Sequence, residues 1–186
     1  MGLLSKSNGG LPMKIAFIIL VALIGVAAFM FGPRIHKDIQ KKRNYENTYA
    51  IQNVGNGKDI RVYNAGNEDG TKIILYSHNN WECITWQLIG LEENVYLLKN
   101  LYTQKNFEPS SAPATGVTLW QQTLGGSRLQ YWEFVKQSGE NYLIRLKDTE
   151  LYLTATSDEN DSDIVLMPKL DSESQLWKLI RQNPII

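Results

Sequence analysis

From Thr48 onward, apolar residues alternate with polar ones or run for four to six positions, and each run stops at turn-forming residues. Asn56-Gly57, Asp69-Gly70, Gly125-Gly126 and Ser138-Gly139 are such stops. Period-two alternation interrupted every ~8–12 residues predicts short strands, and no window of helical period is long enough to compete. The pattern also repeats. Trp86, Trp132 and Trp177 stand 46 and 45 residues apart, the opening tyrosines Tyr49, Tyr96 and Tyr142 keep nearly the same step, and Leu75, Leu119 and Leu166 mark the middle of each unit. Each unit has room for about four strands, which predicts about twelve in all.

Propeller blades share this repeat length and strand count, but a propeller needs at least four of them. Three units close best as a β-trefoil, a six-stranded barrel capped by three hairpins. The expected fold is therefore all-β, a β-trefoil of three four-stranded repeats over residues 48–186. Periodic tryptophans are read first as core, one ring per lobe, each contributing ~1.5–3 kcal/mol or more of apolar transfer.

The motifs Gln130-x-Trp132 and Gln175-x-Trp177, with Gly70-Thr-x-Ile-x-Leu-Tyr76, resemble the ricin-type (R-type) β-trefoil lectins over residues 49–182. Lobe one departs from the signature, because Ile84 stands where the first glutamine belongs. The resemblance implies glycan binding in a shallow pocket on each lobe. An Asp from the second strand would accept sugar hydroxyls, a ring at the end of the third strand would stack on the pyranose, and an Asn before the Gln-x-Trp motif would complete the site. Carried over, lobe one offers Tyr76 as the ring, Arg61 at the Asp position and Cys83 at the Asn position, with Asn79 and Asn80 as substitutes. Lobe two offers Trp120 as the ring and leading candidate, with Thr103 or Gln104, then Gln121 or Gln122, and Leu129 at the Asn position. Lobe three has Met167, Thr154 and Ser174, which makes it structural. Glycan or glycoprotein is the implied partner; a trefoil that docks a protein, as an accessory subunit of a surface complex or toxin, is the alternative.

Ahead of the repeats, residues 15–31 carry no polar side chain. As a helix they would span ~26 Å, the short end for crossing a bilayer. Residues 1–14 thus read as a polar segment, 15–32 as a transmembrane anchor and 33–47 as a basic juxtamembrane stalk. The competing reading is a signal peptide cleaved near Val26-Ala27-Ala28, although apolar residues continue through Phe29-Met30-Phe31. Lys6 occupies the hydroxyl position that myristoylation of Gly2 would require.

The formal net charge of zero hides an asymmetry. Residues up to Arg43 hold seven Lys/Arg and one Asp, whereas the rest hold twelve Lys/Arg and eighteen Asp/Glu. The basic excess lies beside the apolar run, where it can meet anionic headgroups or fix topology, and the acidic repeats argue against nucleic acid. Charge counting would keep the C-terminal flank in the cytoplasm, whereas the family resemblance implies an extracytoplasmic domain, the orientation expected here. Catalysis is not expected: His78 and Cys83 are the repeats' one histidine and one cysteine, and no orienting third group accompanies them. No cofactor or metal is expected, since the acidic run 158–163 has Asp163 and Lys169 where a calcium loop needs Gly and Glu.

Overall fold

In the computed structural model, which describes residues 45–184, the alternating segments become twelve strands. Lobe one holds β1 (Thr48–Asn53), β2 (Lys58–Val62), β3 (Ile73–Ser77) and β4 (Thr85–Glu92). Lobe two holds β5 (Val95–Asn100), β6 (Asn106–Pro109), β7 (Leu119–Gln122) and β8 (Trp132–Lys136). Lobe three holds β9 (Asn141–Leu146), β10 (Tyr152–Ala155), β11 (Ile164–Met167) and β12 (Trp177–Arg181). The expected polar segment at 1–14, anchor at 15–32 and all but the end of the stalk at 33–47 lie outside the described residues. Among the described residues, no helix is long and apolar enough to cross a membrane.

The first and last strands of each lobe close a six-membered antiparallel ring, β1–β4–β5–β8–β9–β12, with β12 returning to β1. Closure leaves the barrel without free edges. The remaining strands form three hairpins, β2–β3, β6–β7 and β10–β11. They meet one another through the bridges Lys72↔Trp120, Thr118↔Val165 and Ile74↔Asp163, which run in a cycle around the threefold axis.

The periodic aromatics explain the ring. Tyr49, Tyr96 and Tyr142 are the cross-strand partners of Trp86, Trp132 and Trp177 at the three junctions where a lobe's first strand meets its own Trp-bearing strand. All three indoles are fully buried. Each donates its Nε1–H to a carbonyl of its own lobe's second strand: Ile60 at 2.9 Å, Phe107 at 3.2 Å and Leu153 at 3.1 Å. Each tryptophan thus buries a large ring and leaves no polar atom unpaired. Phe107 lies between Trp86 and Trp132, with centroids at 5.1 and 4.9 Å. The β1–β2 turn depends on Gly57, whose φ of +71° is a conformation that side-chain-bearing residues rarely adopt.

Strand β6 closes at Pro109, an end position where proline is tolerated. One sequence expectation changes here. The mid-lobe position matching Leu75 and Leu166 is Gln121, not Leu119. Leu75, Gln121 and Leu166 pair with Ile60, Phe107 and Leu153, the residues whose carbonyls hold the indoles.

Candidate functional site

A carboxyl and a ring can share one sugar pocket only if they project from the same face of a hairpin. In antiparallel strands that makes them direct or diagonal cross-strand partners. In lobe one, Ile60 and Val62 point into the core, so Asp59 and Arg61 share the outer face of β2. The register sets Asp59 opposite Tyr76 and Arg61 opposite Ile74. The acidic partner of the Tyr76 ring is therefore Asp59, two residues before the expected Arg61.

Asp59 is fully buried. Its Oδ1 accepts from Gln52 Nε2 at 3.0 Å, and its Oδ2 lies 2.7 Å from Nδ1 of His78, whose side chain is 43% exposed. Burial raises the Asp59 carboxyl above its ordinary value of 3.8, opposed by His78, by Gln52 and by the Asn79 amide. The imidazole thus forms a cover between the carboxyl and solvent.

Beside this pair, Arg61 stacks its guanidinium 4.1 Å from the Tyr76 centroid and 5.6 Å from that of Trp81. The two rings are 6.2 Å apart and tilted by 37°. Trp81 is 40% exposed, and Tyr76 is half-buried and packed against the small cluster of Ala50, Cys83 and Ile84. Arg61 Nε is buried without a hydrogen-bond partner, a cost on the order of 1–3 kcal/mol unless a ligand or water meets it.

The Gln-x-Trp motif explains why lobe one differs. Gln130 Nε2 donates to Glu108 Oε2 and to the Thr123 carbonyl, while its Oε1 accepts from Gly125 N–H, each at 3.1 Å. Gln175 does the same with Thr154 Oγ1, the Pro168 carbonyl and Leu170 N–H, at 2.9, 2.9 and 2.7 Å. Each glutamine pins the loop after its lobe's third strand to its second strand. Glu108, Thr154 and Arg61 occupy equivalent register positions. In lobe one the pin is gone: Ile84 has no amide to offer. Asn79 compensates, donating Nδ2 to the Ser77 carbonyl at 3.0 Å, the carbonyl equivalent to those of Thr123 and Pro168.

The lobe-two candidates do not assemble. Trp120 pairs with Glu108 and corresponds to Ile74 and Val165; the position matching Tyr76 and Met167 is Gln122. Trp120 is half-buried at the junction of the hairpins, bridged to Lys72 and packed near Gly70. It is a capping side chain between lobes, because the strand register places it two residues short of the third-strand end. Gln121 is buried and holds the lobe-one loop, donating Nε2 to the Gly66 and Glu68 carbonyls at 2.8 Å each. Thr103 and Gln104 lie in the turn before β6: Thr103 is buried, and Gln104, at φ +60°, bonds the Leu101 carbonyl. The lobe-two equivalent of Asp59 is Asn106, fully buried and spent on Leu98, Phe107 and Gln130 backbone groups. Lobe three has Tyr152 and Met167 in these places. At the register position of Asp59 and Tyr76, only lobe one pairs a carboxyl with a ring, so among the described residues it is the best-formed site.

Asn80 lies at the rim and donates to the Asn183 carbonyl at 3.0 Å. Trp81, Asp59 and the Asp59–His78 pair were not singled out from the sequence. A tryptophan in the polar run Asn79-Asn80-Trp81-Glu82 was the available signal. His78 pairs with Asp59, and Cys83 is a buried free thiol. The acidic loop 158–163 supports lobe one: Asn160 Oδ1 accepts from the Ser77 amide and hydroxyl at 2.9 and 3.0 Å. An open groove elsewhere, lined by Gln137, Leu143, Lys169 and Leu170, contains no aromatic ring.

Residues 38–122 match the family model described as ricin-type beta-trefoil lectin domain-like, a stretch of less than half the chain. No curated protein matches the chain. Among solved structures it is similar to a designed threefold-symmetric protein, ThreeFoil, with TM-score 0.70, 21% identity, and coverage of 73% of this chain and 99% of that one. It is similar to an exo-beta-1,3-galactanase from Clostridium thermocellum, with TM-score 0.67 and 20% identity, over 73% of this chain and 30% of that one. It is also similar to the ricin B-like lectin of Macrolepiota procera, solved with lactose, with TM-score 0.63 and 18% identity, over 72% and 94%. With the six-strand ring and the three hairpins, these likenesses establish an all-β, β-trefoil fold.

Proposed function

We propose that the chain is a carbohydrate-binding, lectin-like module whose site lies on lobe one. The observation that carries this reading is the juxtaposition of Asp59 and Tyr76 on one hairpin face with the exposed Trp81 from the loop after β3. Flat rings match the C–H face of a pyranose, and a carboxyl suits adjacent hydroxyls. The matched family model and the lactose-bound relative support the same class of ligand. The apolar run at 15–31 supports a single-pass anchor, with release by signal cleavage as the alternative. The lectin-like reading favours an extracytoplasmic module, against the orientation that its basic C-terminal flank alone would set. The role proposed is binding, without catalysis.

One observation favours a second reading. Asp59 is closed off by His78, so a sugar would have to displace the imidazole to reach the carboxyl. A protein partner docking on Trp81, Tyr76 and the loop between them needs no such displacement.

A glycan array probed with the full chain, in a detergent without a sugar headgroup, separates the two. The lectin reading expects weak binding, in the ~mM range or about −4 kcal/mol per site, as suits a shallow contact. Trp81→Ala should abolish it without loss of fold, whereas Trp120→Ala should leave it in place. Absence of any glycan signal would transfer the case to protein docking.

A further inference from the structure

We propose that lobe one prefers an acidic sugar, one bearing a carboxylate or sulfate, which Arg61 receives; this rests on lobe one being the glycan site. In the sister lobes the residues equivalent to Arg61 are Glu108 and Thr154, and each is tied to the glutamine of its own Gln-x-Trp motif. In lobe one both ends of that tie have changed, to Arg61 and Ile84. The result is a cation facing two rings instead of a closed hydrogen bond.

This cation has no anion. Among the described residues, Arg61 makes no hydrogen bond or ion pair, and its Nε is buried and unmet. The nearby carboxyls are engaged elsewhere: Asp59 with His78 and Gln52, and Glu82 with the Tyr45 hydroxyl at 3.2 Å. A guanidinium presents a fork of donors matched to carboxylate or sulfate oxygens, and stacking on Tyr76 fixes the fork in advance. Residues from Asn44 onward carry a net excess of acidic groups, so a polyanion would be repelled overall. The preference must therefore come from a single local contact. A small acidic sugar stacked on Trp81, with its charged group over Arg61, satisfies these conditions.

The test is ligand-observed NMR titration of the full chain, in micelles free of sugar headgroups. The probes are methyl glucuronide against methyl glucoside, galactose 6-sulfate against galactose, and sodium acetate and sodium sulfate as free anions. Binding of an acidic sugar about tenfold or more tighter than its neutral parent is expected, the range of one charge-assisted hydrogen bond. Arg61→Gln should erase that preference, bringing the acidic sugar to the affinity of its neutral parent sugar, while the thermal midpoint stays near that of the parent protein. Arg61→Lys should keep part of the preference, and it serves as the readout if the Gln variant fails to fold. Equal binding of acidic and neutral sugars overturns the inference but leaves the lobe-one glycan reading standing. No binding of any sugar overturns both. Acetate or sulfate alone binding as tightly as the acidic sugar also overturns it, because the site would then hold an anion without reading a sugar.

Discussion

Gln175→Leu keeps a side chain of similar size in a fully buried position while deleting every polar contact it makes. Three hydrogen bonds disappear: those to Thr154 Oγ1, to the Pro168 carbonyl and from Leu170 N–H. At about 0.5–1.5 kcal/mol net for each neutral bond, the expected loss is about 3 kcal/mol, within about 1.5–4.5. The groups left behind hold the loss near the middle of that range. Thr154 Oγ1 still donates to the Tyr152 carbonyl, and Pro168 and Leu170 are exposed, so water reaches their backbone groups. Urea unfolding of the compact unit Asn44–Ile186 measures it. With a slope of about 2 kcal/mol/M, the midpoint should fall by about 1.5 M at unchanged slope. A shift under about 0.25 M, equivalent to about 0.5 kcal/mol, would refute the view that the Gln-x-Trp amide pins hairpin to barrel.

Trp132→Ala should cost about 3–5 kcal/mol through the cavity left in the barrel, read by the same unfolding assay; near-neutral behaviour would break the repeat assignment. Because burial raises the Asp59 carboxyl above 3.8, the folded state holds that proton more tightly than the unfolded chain. The Asp59 contribution to stability therefore falls as pH rises from 3.8 through its folded value and is flat beyond it. Asp59→Asn should remove that falling component from urea midpoints taken from about pH 4 to about pH 7, and an unchanged slope would contradict it. The full-length chain should stay with membranes through high-salt and alkaline extraction, and recovery of a soluble product beginning near Phe29 would instead establish cleavage.

The barrel was legible because its markers are mutual partners. A lobe's opening tyrosine faces a tryptophan across one junction of the ring, and that spacing is held by closure. The hairpin register was not legible, because the links from second to third strand differ. Fifteen residues separate Ile60 from Leu75, fourteen separate Phe107 from Gln121 and thirteen separate Leu153 from Leu166. Counting eleven back from each tryptophan reaches Leu75, Gln121 and Leu166 in every lobe. That count is stable because the connection to the tryptophan is short and, in two lobes, fixed by a glutamine. A search for leucines passes over the buried Gln121, settles on Leu119 and moves Trp120 to a strand end it does not occupy. The same two-residue ambiguity separated Arg61 from Asp59. Alternation shows that both face outward, but only pairing shows which of them meets Tyr76.

The pairing of β1 with β12 has a mechanical consequence. The strands are antiparallel, with Tyr49 opposite Arg181 and Asn53 opposite Trp177, and Gln182 N–H reaches the Thr48 carbonyl at 3.0 Å. Tension between the two ends of the domain would therefore peel these pairs one at a time from the Thr48–Gln182 end, as a zipper opens. Little force is needed when bonds break in sequence. Tension that enters at Thr48 and leaves through lobe one takes another route. It runs along β1 and through its covalent turn into β2, which carries Asp59 and Arg61, and it leaves the β1–β12 seam out of the path. A module held from its N-terminal side and pulled through a ligand on lobe one would keep its barrel closed at forces that open the same barrel pulled end to end.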